Sequence, residues 1–570
     1  MVKNNLTDRQ RRLNAEFSFV KKQGRKDIAV ALVYPNTYHV GMSNLGFQTV
    51  YRLLNELDGI VCERSFLPDH ATTHTGDIIS IESARPISTF DIIAFSISFE
   101  NDYPNLFTIF EKARLPFRSI HRSETHPLII AGGVTCLLNP APIAPFVDCC
   151  FIGEAEAVLP NFMALFQKIN KRETLLLRAS QELEGIYVPV FFQETYDDQG
   201  MFRTLAPKMD VPKIIKRAYV QDIAHLPTCS AVLTPDTTFD QTFLVEVSRG
   251  CPHGCRFCGA GFVYRPPRFR DNALIESCMQ RALVSTNKIG LVGAAVSDVP
   301  DLDALCKSAE NSEIMLSFSS LRADALDPGL ISHLSKSGVK TATIAPDAGS
   351  ERLRRSINKG ICEEDILTAT EALVAGNIPN LKLYFMIGLP TETMDDIEAI
   401  VTLCKKVKHG FLKSSRARGR IGEITVSINS FVPKPHTPFQ WAAMNDIQTL
   451  KKKQRHVKNG LKRVANVRIH ADIPRWAYIQ ALLSRGDARV ADLLEAAHEN
   501  DGNWPKTLKN ALINADFYVL RERHPDEHFP WDFIDHGIHK SYLLAEYRKS
   551  MRALTSDICD VRTCRRCGVC

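Results

Sequence analysis

Short, uninterrupted apolar runs separated by amphipathic stretches recur along the chain and predict two successive α/β units. Over residues 27–170 the runs "DIAVALVYP", "FDIIAFSIS", "HPLIIAGGV" and "FVDCCFIGE" alternate with segments such as "LGFQTVYRLLNEL" and "YPNLFTIFEKARL". Runs that are apolar at every position suit strands buried on both faces of a parallel sheet. The result is a doubly wound α/β pattern, in which ligands sit at the carboxyl ends of the strands. Residues 171–240, with "GIYVPVFF", a polar "QETYDDQGMFR" turn and several prolines, read as a connector. A second series occupies 241–440: "QTFLVEVSRG", "KIGLVGAAV", "IMLSFSSLR", "VKTATIAPDAG", "NLKLYFMIGLP" and "GEITVSINSFVP". Six strand–helix units predict an open or partial (β/α)6 barrel whose reacting groups gather at the carboxyl ends of the strands. Residues 441–558 read as mainly helical, 1–26 as a polar arm and 559–570 as a cysteine-rich tail.

Composition narrows the class. A 570-residue chain that is 45% hydrophobic and 24% charged is a multidomain globular protein. The first residues lack the apolar core of a secretory signal and no apolar run reaches spanning length, so a cytoplasmic protein is expected. In that compartment thiols stay reduced, and clustered members of the sixteen cysteines become metal candidates. The net charge of +6 is concentrated between Lys405 and Arg468, which suits a solvated helix face or a nucleic-acid surface.

The chemistry centres on "VSRGCPHGCRFCGAGF", where Cys251, Cys255 and Cys258 follow the first strand of the second series. Thiolates so spaced on one loop converge on zinc or an iron–sulfur centre. A closed zinc site needs four ligands, and the only further candidate inside the loop is His253, whose chelate would be strained between its neighbours. Three thiolates on a [4Fe-4S] cube instead leave one iron open.

CxxxCxxC with Phe257 before the last cysteine, after the first strand of a β/α series, resembles the radical S-adenosylmethionine (radical SAM) superfamily. The resemblance implies that the open iron binds SAM, which is cleaved reductively to methionine and a 5′-deoxyadenosyl radical. It further implies an electron donor such as a flavodoxin or ferredoxin. "SFSSLRAD" with Ser320 and Arg322, "APDAGSERLR" with Asp347 and Ser350, and "YFMIGLPTET" with Met386 and Gly388 are similar to the SAM-facing strand ends of that family. "GAA" (Gly293 to Ala295) departs from its usual Gly-Gly-Glu motif.

The first unit resembles the cobalamin-binding domain of B12-dependent members through Ser96 and Ser98, Gly132 and Gly133, and Glu154 of "GEAE". The usual DxHxxG is absent, since His39 and Gly41 have the wrong spacing, so any cobalamin would bind without a histidine from this domain. The resemblance thus implies radical methylation of an unreactive carbon, with cobalamin-independent rearrangement, dehydrogenation or sulfur insertion into tRNA or protein as the enzymatic alternative. A zinc-stabilised nucleic-acid-binding protein is the non-enzymatic one.

Cys559, Cys564, Cys567 and Cys570 in "CDVRTCRRCGVC" suit either one zinc or a second [4Fe-4S] cluster. Cys149 and Cys150 read as core, and His524, His528, His536 and His539 as surface loop. Arg265 and Arg268 suit either an anion contact or carboxylate pairs on the rim.

Overall fold

The predicted apolar runs form strands, and the strands gather into parallel sheets; the computed structural model describes residues 7–20, 26–69, 76–319, 321–416 and 421–570. The first sheet comprises β1 (Lys26–Thr37), β2 (Gly59–Leu67), β3 (Ile92–Ser96), β4 (Leu128–Gly132), β5 (Cys149–Phe151) and β6 (Ile186–Tyr187). Their order is β2-β1-β3-β4-β5-β6, all parallel except the antiparallel edge strand β6. This is a doubly wound order. β2 escapes the hydrophobic pattern because its "CERSFL" carries Glu63 and Arg64, both buried. Arg64 stays charged there by pairing with Glu16 (2.7 Å) from the arm and Glu82 (2.8 Å). β6 lies inside the segment read as connector. Cys149 and Cys150 are core residues, as expected.

The second series supplies β7 (Phe243–Glu246), β8 (Lys288–Val292), β9 (Met315–Phe318), β10 (Thr341–Asp347), β11 (Asn380–Ile387), β12 (Ile424–Ser430) and β13 (Val467–Ala471). These make two parallel half-sheets, β7-β8-β9 and β10-β11-β12-β13. The six expected strands are present, and β13 is a seventh in the region expected to be mainly helical. It lacks an apolar run, and none of its residues is fully buried, because it is an edge strand. The rest of that region is largely helical, including Ile447–Leu461, Pro474–Arg485, Val490–Glu499 and Lys540–Met551. Helix Ile447–Leu461 buries Leu450, Val457 and Leu461 and exposes Lys451, Lys452, Arg455 and Lys458, so this part of the basic stretch is a solvated helix face. Among the described residues no helix is long and apolar enough to cross a membrane.

The carboxyl edges of the two units face each other. Lys434, beyond β12, pairs with Glu100, beyond β3, at 2.5 Å. Asn139, beyond β4, donates to the carbonyls of Ser484 (3.1 Å) and Gly486 (2.7 Å). Glu154, beyond β5, pairs with Arg249 (2.9 Å), beyond β7, and with Arg268 (2.6 Å). One apolar core runs through both units, and a smaller cluster that includes Phe262, Leu353, Phe439, Trp441 and Trp531 lies against the cysteine loop.

Candidate functional site

The loop bearing Cys251, Cys255 and Cys258 is held at both ends. Just beyond β7, Ser248 pairs with Phe269 and Arg249 with Arg268 in a two-rung antiparallel ladder that closes the intervening residues into a loop. Gly250 makes the first turn at φ 81°, where a Cβ would lie 2.5 Å from the Tyr264 carbonyl. Inside the loop the Cys258 N–H donates to the Cys255 carbonyl (3.0 Å). Arg256 is fully buried and donates to the carbonyls of Arg355 (3.2 Å) and Ser356 (2.8 Å) and to Glu546 (2.9 Å). This anchor leaves the three thiols half-buried.

His253, in the same loop, is engaged by an acidic side chain. Its Nε2 lies 2.8 Å from Asp298 Oδ2, on the segment that follows Gly293–Ala295. Burial pushes the Cys251 thiol up to about 12, the Cys258 thiol up to about 11, and the Cys255 thiol upward. Cation binding would therefore have to displace protons.

The strand ends bring charges beside Cys255. Asp347 ends β10 with φ 60° and pairs with Lys359 (2.6 Å). Burial raises the Asp347 carboxyl, and Lys359 opposes that shift. Arg322, beyond β9, donates to the carbonyls of Lys359 and Gly360 (3.4 Å each) and pairs with Asp324 (2.9 Å). Lys359 and Arg322 both act electrostatically on the Cys255 thiol. Arg322 and Asp347 are thus gathered at the site, together with Lys359, which sequence reasoning missed. Its only signal was a lone lysine in the "SINKG" loop.

Other predicted residues are placed differently. Ser350 caps the helix Glu351–Ser356, accepting from the Leu353 N–H, and donates to Asp396 (2.5 Å). Gly388 takes φ 84° after β11 and donates its N–H to Glu392 (2.7 Å). Met386 and Phe257 pack against the smaller apolar cluster. Ser320 lies outside the described residues.

In the first unit, Ser96 ends β3, Ser98 accepts from Asn44 Nδ2 (3.0 Å) and Gly132 ends β4. Gly133 has φ 115°, and a Cβ there would lie 2.3 Å from the Ile97 carbonyl. Glu154 is spent on Arg249 and Arg268, whose charges outweigh burial and hold its carboxyl below the usual range. His39 faces Asp236 at 3.1 Å. Gly133 therefore packs closely on the Ile97 backbone, and Glu154 ties the two units together through its ion pairs.

Arg268 is a carboxylate partner, as one of its two readings had it. Arg265 is buried against the rings of Phe262 and Tyr542 and donates to the Gly261 carbonyl (2.9 Å). His524, His528 and His539 are exposed, but the expectation of a surface loop is corrected for His536. It is buried, with Nε2 2.8 Å from the Leu137 carbonyl and its ring 4.3 Å from that of His436. The segment containing the cysteine quartet runs back to the loop: the Cys559 N–H donates to the Pro252 carbonyl (2.9 Å). Among the described residues no three His, Cys, Asp or Glu side chains converge closely enough for a single ion.

The chain matches two protein families. Residues 46–189 match one described as "Radical SAM proteins, N-terminal", and residues 245–404 one described as "Radical SAM superfamily". An uncharacterized protein of Methanocaldococcus jannaschii is 30% identical over 518 residues, which cover 90% of this chain and 98% of that one. The solved cobalamin-dependent SAM radical enzyme OxsB, with aqua-cobalamin and SAM bound, is 13% identical with a TM-score of 0.44, over 92% of this chain and 79% of that one. The radical SAM methyltransferase TsrM of Kitasatospora setae is 12% identical with a TM-score of 0.46, over 72% and 75%. Given the match of its cysteine-bearing unit and a relative aligned along nearly its whole length, this chain belongs to the radical SAM superfamily and is a SAM-using iron–sulfur enzyme.

Proposed function

We propose that Cys251, Cys255 and Cys258 hold the catalytic [4Fe-4S] cluster and that the charged strand ends beside it receive SAM. The observation that carries this reading is the loop itself: three half-buried thiols on a segment pinned at both ends, with His253 engaged by Asp298. With cluster and SAM bound, the site supplies a deoxyadenosyl radical able to take hydrogen from an unreactive carbon.

The chain's own residues bind, orient and shield. SAM carries an ammonium and a carboxylate; Asp347 suits the first and Arg322 or Lys359 the second, through charge-assisted hydrogen bonds. The ladder and the Arg256 anchor fix the loop so that reacting groups are positioned before the reaction. Phe257, Phe262 and Trp441 form an apolar wall on one side, which limits water near a radical. Anaerobic reconstitution followed by dithionite and SAM tests this: the wild type should form 5′-deoxyadenosine, and Cys255→Ala should not. Undiminished product from Cys255→Ala would refute the ligand set.

Cobalamin-dependent methylation is the second reading. It is favoured by the facing carboxyl edges, where doubly wound units bind ligands. It is opposed by the commitment of Gly133 and Glu154. Titration of the reconstituted enzyme with hydroxocobalamin decides the matter. Saturable binding together with S-adenosylhomocysteine formation supports methylation, whereas deoxyadenosine without binding removes it.

A further inference from the structure

The quartet Cys559, Cys564, Cys567 and Cys570 is not a loose extension. The Cys559 N–H donates to the carbonyl of Pro252, the residue after Cys251, at 2.9 Å. Asn358 bridges the same two segments, donating to the Gly254 carbonyl (3.3 Å) and accepting from the Ser556 N–H (2.8 Å). Ser556 in turn donates to Glu546, the partner of the Arg256 anchor. The His539 N–H donates to the Cys567 carbonyl (2.9 Å), and Gly568 turns at φ 95° beneath the His539 ring. Two cysteine-bearing segments far apart in sequence thus share one polar framework.

The four thiols are linked in pairs: Cys564 and Cys570 act on Cys559, and Cys567 and Cys564 act on Cys570. Positive charge covers them. Arg265, 3% exposed, acts on Cys559, Cys567 and Cys570, and Arg566 donates to Cys564 Sγ at 3.5 Å. Four thiolates bound to one cluster carry net negative charge, and guanidinium groups compensate it.

Zinc and a four-iron cube ask for different thiol spacings. Four sulfurs on one zinc ion at about 2.3 Å lie roughly 3.8 Å apart. No three of these thiols close to a single-ion point. A four-iron cube takes its ligands on separate irons and so accepts a wider set.

We propose that Cys559, Cys564, Cys567 and Cys570 ligate a second, fully coordinated [4Fe-4S] cluster. Docked on the catalytic loop, it passes single electrons from a low-potential donor to the catalytic centre. With every iron ligated by cysteine it has no open position for substrate. In each transfer the reduced second cluster loses one electron and the oxidised catalytic cluster gains it; the donor, dithionite in the test, restores it. The site stands on its own residues, whereas the relay role rests on the catalytic assignment made above.

Anaerobic reconstitution of the full chain separates the two claims. The wild type should hold about eight irons, Cys564→Ser/Cys567→Ser about four, and Cys251→Ala/Cys255→Ala/Cys258→Ala about four. One zinc and about four irons in the wild type would overturn the second cluster. So would an undiminished iron content in the Cys564→Ser/Cys567→Ser variant whose circular dichroism matches the wild type. Failure of the catalytic assignment alone would instead appear as full iron retention in the triple variant.

Electron paramagnetic resonance of the dithionite-reduced protein reads the contact. The wild-type spectrum should show faster relaxation and broadening relative to the sum of the two variants' spectra. A wild-type spectrum equal to that sum would overturn the relay.

Discussion

Glu154 decides between a ligand contact and a clamp between the two units, and Glu154→Gln preserves its shape while removing its charge. The carboxylate accepts from Arg268 (2.6 and 3.1 Å), pairs with Arg249 (2.9 Å) and accepts from the Val220 N–H (3.1 Å). The ion pairs around it join three carboxylates, Glu154, Glu156 and Glu246, to three guanidinium groups, Arg249, Arg268 and Arg270, and the buried Arg217 guanidinium adds a further positive charge beside Glu154. Neutralising one carboxylate leaves a net positive charge there. Arg249 retains Glu156 and Glu246, so Arg268 bears the loss. Removing one partner of a buried pair costs about 3–5 kcal/mol, and the lower end applies because a glutamine still accepts one hydrogen bond. In urea, with a slope of about 3 kcal/mol/M, the midpoint should fall by roughly 1 M. Glu154→Gln/Arg268→Met, which removes both partners, should recover part of that loss. Anaerobic denaturation followed by circular dichroism, with hydroxocobalamin titrated in parallel, is the assay. An unchanged midpoint in Glu154→Gln, with cobalamin binding alone affected, would show that the residue is a ligand contact and refute the clamp.

Because His253 is held by Asp298, His253→Ala should retain the catalytic cluster's iron; loss of about four irons would make it a ligand. Lys359→Met should lower kcat/KM for SAM about 10- to 100-fold while keeping the iron content, measured by deoxyadenosine formation, since a hydrogen bond to a charged group contributes about 1.5–3 kcal/mol. Gly133→Ala should cost about 3 kcal/mol in denaturant, from a disfavoured φ of 115° and a Cβ driven to 2.3 Å from the Ile97 carbonyl. Burial lowers the His536 pKa to about 3, so the unfolded state binds a proton that the folded state refuses between that value and about 6.5. Stability should therefore fall as pH drops from about 6.5, by about 3 kcal/mol at pH 4.5, and denaturation of His536→Phe across that range should show a shallower loss.

What could be read along the chain was local. Continuous apolar runs announced β1, β3, β4 and β5, and continuous or alternating ones six strands of the second unit, because a strand that buries one or both faces carries its signature in its own residues. The thiol spacing at Cys251, Cys255 and Cys258 announced a candidate iron–sulfur loop, because three thiols on one short loop need no help from elsewhere. Where charge replaced apolar residues, the signal failed: β2 is buried with Arg64 inside, which is possible only because Glu16 and Glu82 come from other segments. β13 was hidden for the opposite reason, since an edge strand need not be apolar.

The remaining placements depended on long-range approach. Lys359 was a loop lysine until it met Asp347, Glu154 a motif residue until it met two arginines, and His536 a surface histidine until it was buried against Leu137. Chain order separates Cys559 from Pro252 by some three hundred residues, and nothing in either segment specifies the hydrogen bond between them. Residue chemistry and periodicity are properties of a short stretch, so they were present in the amino-acid order. Pairing of charges and docking of distant loops depend on which surfaces exclude water together, and that is settled when the whole chain packs.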